Sequence, residues 1–107
     1  MTDDPTDAIS VRDNPEHSRF EIRVGDELAG FAAYRRHGEI ADFTHTEIAD
    51  EFEGRGLGSR LIRAALDETR AQGRQALPHC PFVRAFIDKH PEYTDLVPAG
   101  ERAHFGL

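Results

Sequence analysis

A chain of 107 residues holds one domain with one modest core and is too short for a catalytic domain plus a separate binding domain. At 38% hydrophobic and 31% charged it has an ordinary globular composition, with no apolar run of the roughly 20 residues a spanning helix needs and no legible signal peptide, so a cytoplasmic protein without a membrane partner is expected. The single cysteine, Cys80, excludes an internal disulfide, and a net charge of −7 argues against a nucleic-acid partner, whose phosphates require a basic face.

Residues 1–8 are polar, hold Asp3, Asp4 and Asp7 with no basic residue, and are expected to form a disordered tail ahead of a domain spanning residues 9–107. Ile9 to Arg12 is a short first strand. Phe20, Ile22 and Val24 alternate with polar residues, Gly25-Asp26 is a turn pair, and Leu28 to Tyr34 is a second apolar stretch, which together predict a β-hairpin. Gly38 closes another turn. Glu39 to Ile48 follows as a strand in which the two-residue repeat puts Phe43, His45 and Glu47 on one face. From Leu57 the period changes: Leu57, Leu61, Ile62, Ala65, Leu66 and Thr69 fall on one stripe at helical spacing, predicting an amphipathic helix that ends near Gly73. Gln75 to Leu77 is one more short strand. Pro81 suits the first position of a second helix running to about Lys89, because proline there lacks only an N–H that has no helical partner, and Pro91 stops it near His90.

The stretch Glu53-Gly54-Arg55-Gly56-Leu57-Gly58-Ser59 sets three glycines within five positions at the start of the long helix. Backbone N–H groups converging beside the positive end of a helix dipole, with no bulky side chains in the way, make a diphosphate cradle. A Walker loop is excluded, since no lysine follows the last glycine. A dinucleotide fingerprint fits poorly, because Ser59 falls where the third glycine belongs and the preceding strands are hairpins instead of a βαβ unit. A turn that merely joins strand to helix needs one glycine, not three.

What remains is a first residue followed by x-x-G-x-G, here Glu53-Gly54-Arg55-Gly56-Leu57-Gly58, and this resembles the acetyl-CoA pyrophosphate loop of the GNAT acetyltransferase superfamily. The family's first residue is usually Gln or Arg; with Glu53 in its place the cradle is left to the backbone. The order of elements matches as well. Through His45-Thr46-Glu47-Ile48, Pro78-His79-Cys80-Pro81 and His90-Pro91-Glu92-Tyr93 the resemblance narrows to the small, minimal class typified by YjdJ-type proteins, over roughly residues 20 to 97. It implies a single α/β (α+β) domain with a mostly antiparallel twisted sheet and two principal helices. It further implies that acetyl-CoA is bound, with backbone groups of Ile48 and Ala49 on the pantetheine amides and Gly54, Arg55, Gly56, Leu57, Gly58 and Ser59 on the pyrophosphate. The acetyl group would pass to an amine, either a lysine or terminal amine of a protein or a small polyamine.

Cys80 precedes Pro81 and therefore stands at the N-cap of the second helix, where the dipole favours a thiolate and so a nucleophile. In the minimal class the corresponding cysteine is a candidate to receive the acetyl group before an amine does. The alternative is a small buried apolar residue. Direct attack by the amine instead needs a base, and Glu47 and His45 are the candidates beside the cofactor cleft, although they also read as a polar pair on a solvated sheet face. Tyr93 either protonates the departing thiolate or packs its ring on the second helix. His45-x-Glu47 with Pro78-His79-Cys80 departs from the zinc deaminase pattern at Val83, and no other His/Cys spacing makes a metal site, so no metal is expected. The rival reading is a CoA-binding module without turnover, in which the cradle is kept and the chemistry is absent.

Overall fold

The computed structural model describes residues 8–107, so most of the expected tail lies outside the described residues. Four strands run as an antiparallel meander: β1 (Ile9–Asn14), β2 (Arg19–Val24), β3 (Glu27–His37) and β4 (Ile40–Ile48). The carbonyl of Ala8 already accepts the Gly25 N–H at 2.7 Å, so ordered pairing starts one residue before β1. The long helix α1 (Leu57–Ala71) then crosses over to β5 (Gln75–Pro78), which pairs with β4 in parallel at the end of a sheet of order β1-β2-β3-β4-β5. A parallel neighbour demands such a crossover, and α1 supplies it. The second helix, α2 (Pro81–Lys89), is followed by 3-10 turns at Pro91–Leu96, Ala99–Glu101 and Ala103–Phe105. Sheet and helices thus form the single α/β domain the sequence predicts, with one parallel strand pair in an otherwise antiparallel sheet.

The stripe Leu57, Leu61, Ile62, Ala65, Leu66 and Thr69 is the buried face of α1. It lies on a sheet face built from Phe20, Ile22, Val24, Ala32, Tyr34, Ala41 and Phe43, joined by Val83, Phe86 and Ile87 of α2 in one continuous core. Six buried side chains on one helix withdraw enough apolar surface to hold it on the sheet, at about 1.5–3 kcal/mol for each fully buried large one. The other sheet face carries Arg19, Glu21, Phe31, His45 and Glu47 and, among the described residues, neither α1 nor α2. Among the described residues no helix is long and apolar enough to cross a membrane.

One irregularity decides the faces of β4. Tyr34 pairs with Phe43 but Ala33 pairs with His45, leaving Thr44 as a bulged residue without a partner. An inserted residue reverses the alternation beyond it. The expectation that Phe43, His45 and Glu47 share a face is therefore corrected: Phe43 is buried against the helices, whereas His45 and Glu47 point to the opposite side, and Thr46 and Ile48 turn inward in their place.

Candidate functional site

Strands β4 and β5 stay together for only four residue pairs, ending at Phe43 and Pro78. One further bond, from the Cys80 N–H to the Phe43 carbonyl at 2.8 Å, closes the seam. Past it, the second half of β4 has no β5 partner, and Thr46 Oγ1 meets Cys80 Sγ across the parting at 3.3 Å. The chain leaves β4 through a 3-10 turn at Asp50–Phe52, anchored by the Ala49 N–H on the Ala29 carbonyl at 2.8 Å, and enters the glycine stretch.

Here two glycines are required by the backbone. Gly54 has φ 83° and Gly56, the N-cap of α1, has φ 73°, a left-handed region that costs other residues roughly 1–2 kcal/mol. Gly58 is already helical, and its reason is different: a Cβ there would stand 2.8 Å from Cζ of Phe82. No side chain caps α1 and no acidic residue occupies its first turn, so the N–H groups that open the helix keep no protein acceptor. They face a cleft of about 440 Å³ between Ile48 and Phe52 on one wall and Phe82 on the other, floored by Gly54, Gly56, Leu57, Gly58 and Ser59, with the carboxylate of Glu53 as its one charged lining group. Arg55 adds a guanidinium above the Phe52 ring, 5.5 Å from its centroid. Such a donor set matches a phosphate or pyrophosphate anion. A larger groove, about 790 Å³, runs between β1 and α1, but Asp13, Asp67 and Glu68 line it against a single Arg12, which suits an anion badly.

Of the residues singled out from the sequence, Ile48, Gly54, Gly56, Leu57, Gly58 and Ser59 come together at this cleft, while Ala49 starts the turn beside it and Arg55 does not line it but lies over the Phe52 ring. Cys80 is the N-cap of α2, as its place before Pro81 predicts, and is 3% exposed. His45 and Glu47 pair with each other, Nε2 to Oε1 at 3.1 Å, on the outer sheet face, where both side chains are more than half exposed. The sheet therefore separates this pair from the Thr46–Cys80 contact. Tyr93 is a packing residue: its hydroxyl donates to Asp67 at 2.7 Å and receives Arg63 at 3.2 Å, and its ring lies 5.8 Å from that of Phe86. Burial first, and the Asp67 carboxylate second, push its hydroxyl pKa up. Among the described residues no three His, Cys, Asp or Glu side chains converge as a metal site would require.

Two residues at the site, and one pair outside it on the outer face, escape a reading of the sequence. Thr46 turns inward only because of the bulge at Thr44, which no sequence period marks. Phe82 looks like any apolar residue at a helix start, yet is 44% exposed at the rim of the cleft. The Asp42–His79 pair, 2.6 Å apart on the outer face, joins residues far apart in the chain.

The sequence over residues 19–96 matches the family model described as GCN5-related N-acetyl-transferase. Among curated relatives, Protein NATD1 of Bos taurus is 35% identical over 78% of this chain and 75% of its own length. Protein NATD1 of Homo sapiens is 33% identical over the same shares, and that of Xenopus tropicalis 28% identical over 82% of this chain and 83% of its own. Among solved structures, a GCN5-like protein from Staphylococcus aureus superposes with a TM-score of 0.63, covering 82% of this chain and 86% of that one at 21% identity, a likeness of fold.

Proposed function

Because the chain belongs to the GCN5-related N-acetyltransferase family, we propose that it binds acetyl-CoA in the cleft at the start of α1 and transfers the acetyl group to an amine. The observation that carries the reading is the uncapped N-terminus of α1 behind two left-handed glycines, set where β4 and β5 part. In this reading the N–H groups from Gly54 to Ser59 hold the pyrophosphate, with Arg55 beside them. The backbone of Ile48, on the β4 edge that β5 leaves unpaired, pairs with a pantetheine amide, while Ala49 offers only the second acceptor site of its carbonyl, since its N–H bonds the Ala29 carbonyl and its oxygen takes the Phe52 N–H. The thioester then comes to the parting of the strands, near Thr46 and Cys80.

Two routes of transfer follow. In the covalent one Sγ of Cys80 attacks the thioester carbonyl, the bond from carbon to the CoA sulfur breaks as the thiol proton passes to that sulfur, and an amine later displaces the acetyl group from Sγ, which takes back a proton from the amine. Its support is the N-cap position of Cys80 and its place at the parting. In the direct one the amine attacks the thioester itself, the bond from carbon to the CoA sulfur breaks, and Glu47 or His45 accepts the amine proton through the opening where β4 and β5 part. Among the described residues the outer face, where that pair lies, carries neither α1 nor α2, which leaves room for a bulky acceptor, such as a lysine or terminal amine of a protein, or for a small polyamine.

Intact-mass spectrometry after incubation with acetyl-CoA tests the proposal. One added acetyl group that disappears in Cys80→Ala, with Cys80→Ala also slow in acetylating amines, supports the covalent route; thiol release on adding amines without an adduct supports direct transfer, and Glu47→Gln then slows it. The burial of Cys80 and its separation from the His45–Glu47 pair favour a second reading, a CoA-binding module without turnover. That reading expects CoA to shift the amides of residues 54–59 with neither adduct nor thiol release. Absence of those amide shifts would sink both.

A further inference from the structure

We propose that Phe82 and the shallow pocket behind it seat the adenosine 3′-phosphate end of CoA, so that this chain discriminates CoA from its 3′-dephospho form. The inference rests on the CoA reading above and adds where the nucleotide goes and which side chains select it.

Phe82 is the one large apolar side chain exposed among the described residues, at 44%. Its ring lies over the first turn of α1, in a space that exists only because residue 58 is glycine. An exposed aromatic face beside a phosphate cradle is a stacking platform for a base. The cleft does not end at this ring. Ser59 and Phe82 also line a second depression of about 90 Å³, which continues along α2 past Ala85 and Phe86 to Lys89 and His90. The far end is basic. Lys89, the only lysine in the chain, is exposed there and supplies the charge, while the Arg63 guanidinium, 5.5 Å from the centroid of the Phe86 ring, is already paired with Glu92 at 3.8 Å. His90 stacks on the same ring at 4.1 Å, with Nδ1 hydrogen-bonded to the Phe86 carbonyl at 2.8 Å, so the depression has a rigid wall.

A ligand whose pyrophosphate sits on the α1 N-terminus and whose pantetheine follows Ile48 must send its nucleoside out on the opposite side, which is the Phe82 side. The purine then meets the ring, and the 3′-phosphate reaches the positive end at Lys89. The local positive charge matters because the chain as a whole carries −7, so a phosphate beyond the backbone cradle gains from a cation placed beside it.

Titration of the full chain with CoA, 3′-dephospho-CoA and 4′-phosphopantetheine, followed by calorimetry and amide shifts, tests the proposal. The wild type is expected to bind CoA more tightly than 4′-phosphopantetheine, with 3′-dephospho-CoA between. Phe82→Ala is expected to cut the CoA to 4′-phosphopantetheine affinity ratio by about 5- to 150-fold, the range for losing one base–aromatic stack, whereas Phe82→Trp keeps it. Lys89→Gln is expected to erase the preference for CoA over 3′-dephospho-CoA, about 2- to 5-fold for an exposed ion pair at low salt, and to leave 4′-phosphopantetheine unmoved. An unchanged ratio in Phe82→Ala, or equal binding of CoA and 3′-dephospho-CoA by the wild type, overturns the assignment while the cradle stands. If none of the three ligands binds the wild type, the CoA reading falls and this inference with it.

Discussion

Glu21 shows how a single residue departs from its sequence pattern. Between Phe20 and Ile22 the alternation marks it as a solvated outward position, and it does point outward, yet it is only 8% exposed. Arg19 covers it at 2.8 Å, Asn14 at 3.1 Å and Arg23 at 3.3 Å. Burial by itself raises a carboxyl pKa, but the hydrogen bonds from Arg19 and Asn14 with the Arg19 charge outweigh it and hold Glu21 below the usual 4.5. A carboxyl depressed in the folded state contributes stability that is present above its unfolded value and lost as pH falls through the folded one. The melting temperature is thus expected to fall as the pH drops below about 4.5, and Glu21→Gln to flatten that limb of the profile while costing about 1–3 kcal/mol at neutral pH. An acid limb of the same slope in both proteins would contradict the assignment. No sequence period announces such a residue, because its partners come from three separate positions on two strands.

At the scale of elements, helices were the most legible. The six-residue stripe of α1 and the Pro81 start and Pro91 stop of α2 are signals that local chemistry writes directly into the chain. The strands were legible in number and order but not in detail: β4 carries a bulged threonine with no sequence mark, and it changes which of its side chains reach the cleft. The glycine stretch was read as one motif although its members do separate work. Gly56→Ala forces an L side chain into φ 73° and is expected to cost about 1–2 kcal/mol in urea unfolding. Gly58→Ala is helical, so it is expected to gain up to about 1 kcal/mol of helix propensity. Its new methyl meets only the far end of the half-exposed Phe82 ring, which swings aside, and CoA binding weakens as stability holds. Equal losses of stability in the two variants would show that both glycines serve the backbone alone.

For the whole molecule, the order of elements was enough to read the fold class, since a meander followed by helix, strand and helix has few arrangements. The C-terminal segment was not readable. Its short 3-10 turns have no period, yet Val97 is fully buried, Phe105 is 8% exposed, and both belong to the common core. Removing residues 97–107 is expected to cost about 3–6 kcal/mol through these two side chains, enough to unfold a domain of ordinary stability or lower its melting temperature by tens of degrees. A truncated chain that melts within a few degrees of the full one would show this segment to be an accessory.

The same connectivity sets an order of assembly. Neighbours from β1 to β4 are joined by tight turns and can pair as soon as they collapse, whereas β5 reaches β4 only after residues 49–74 have been laid down as a helix across the sheet. Contacts that close long loops form slowly and late. The four-pair seam is the one such contact in the sheet, and the cleft lies at its open end. Because the cleft lies at the end of the one sheet contact that closes a long loop, whatever opens that seam removes the ligand site while leaving the four-stranded meander its own pairing.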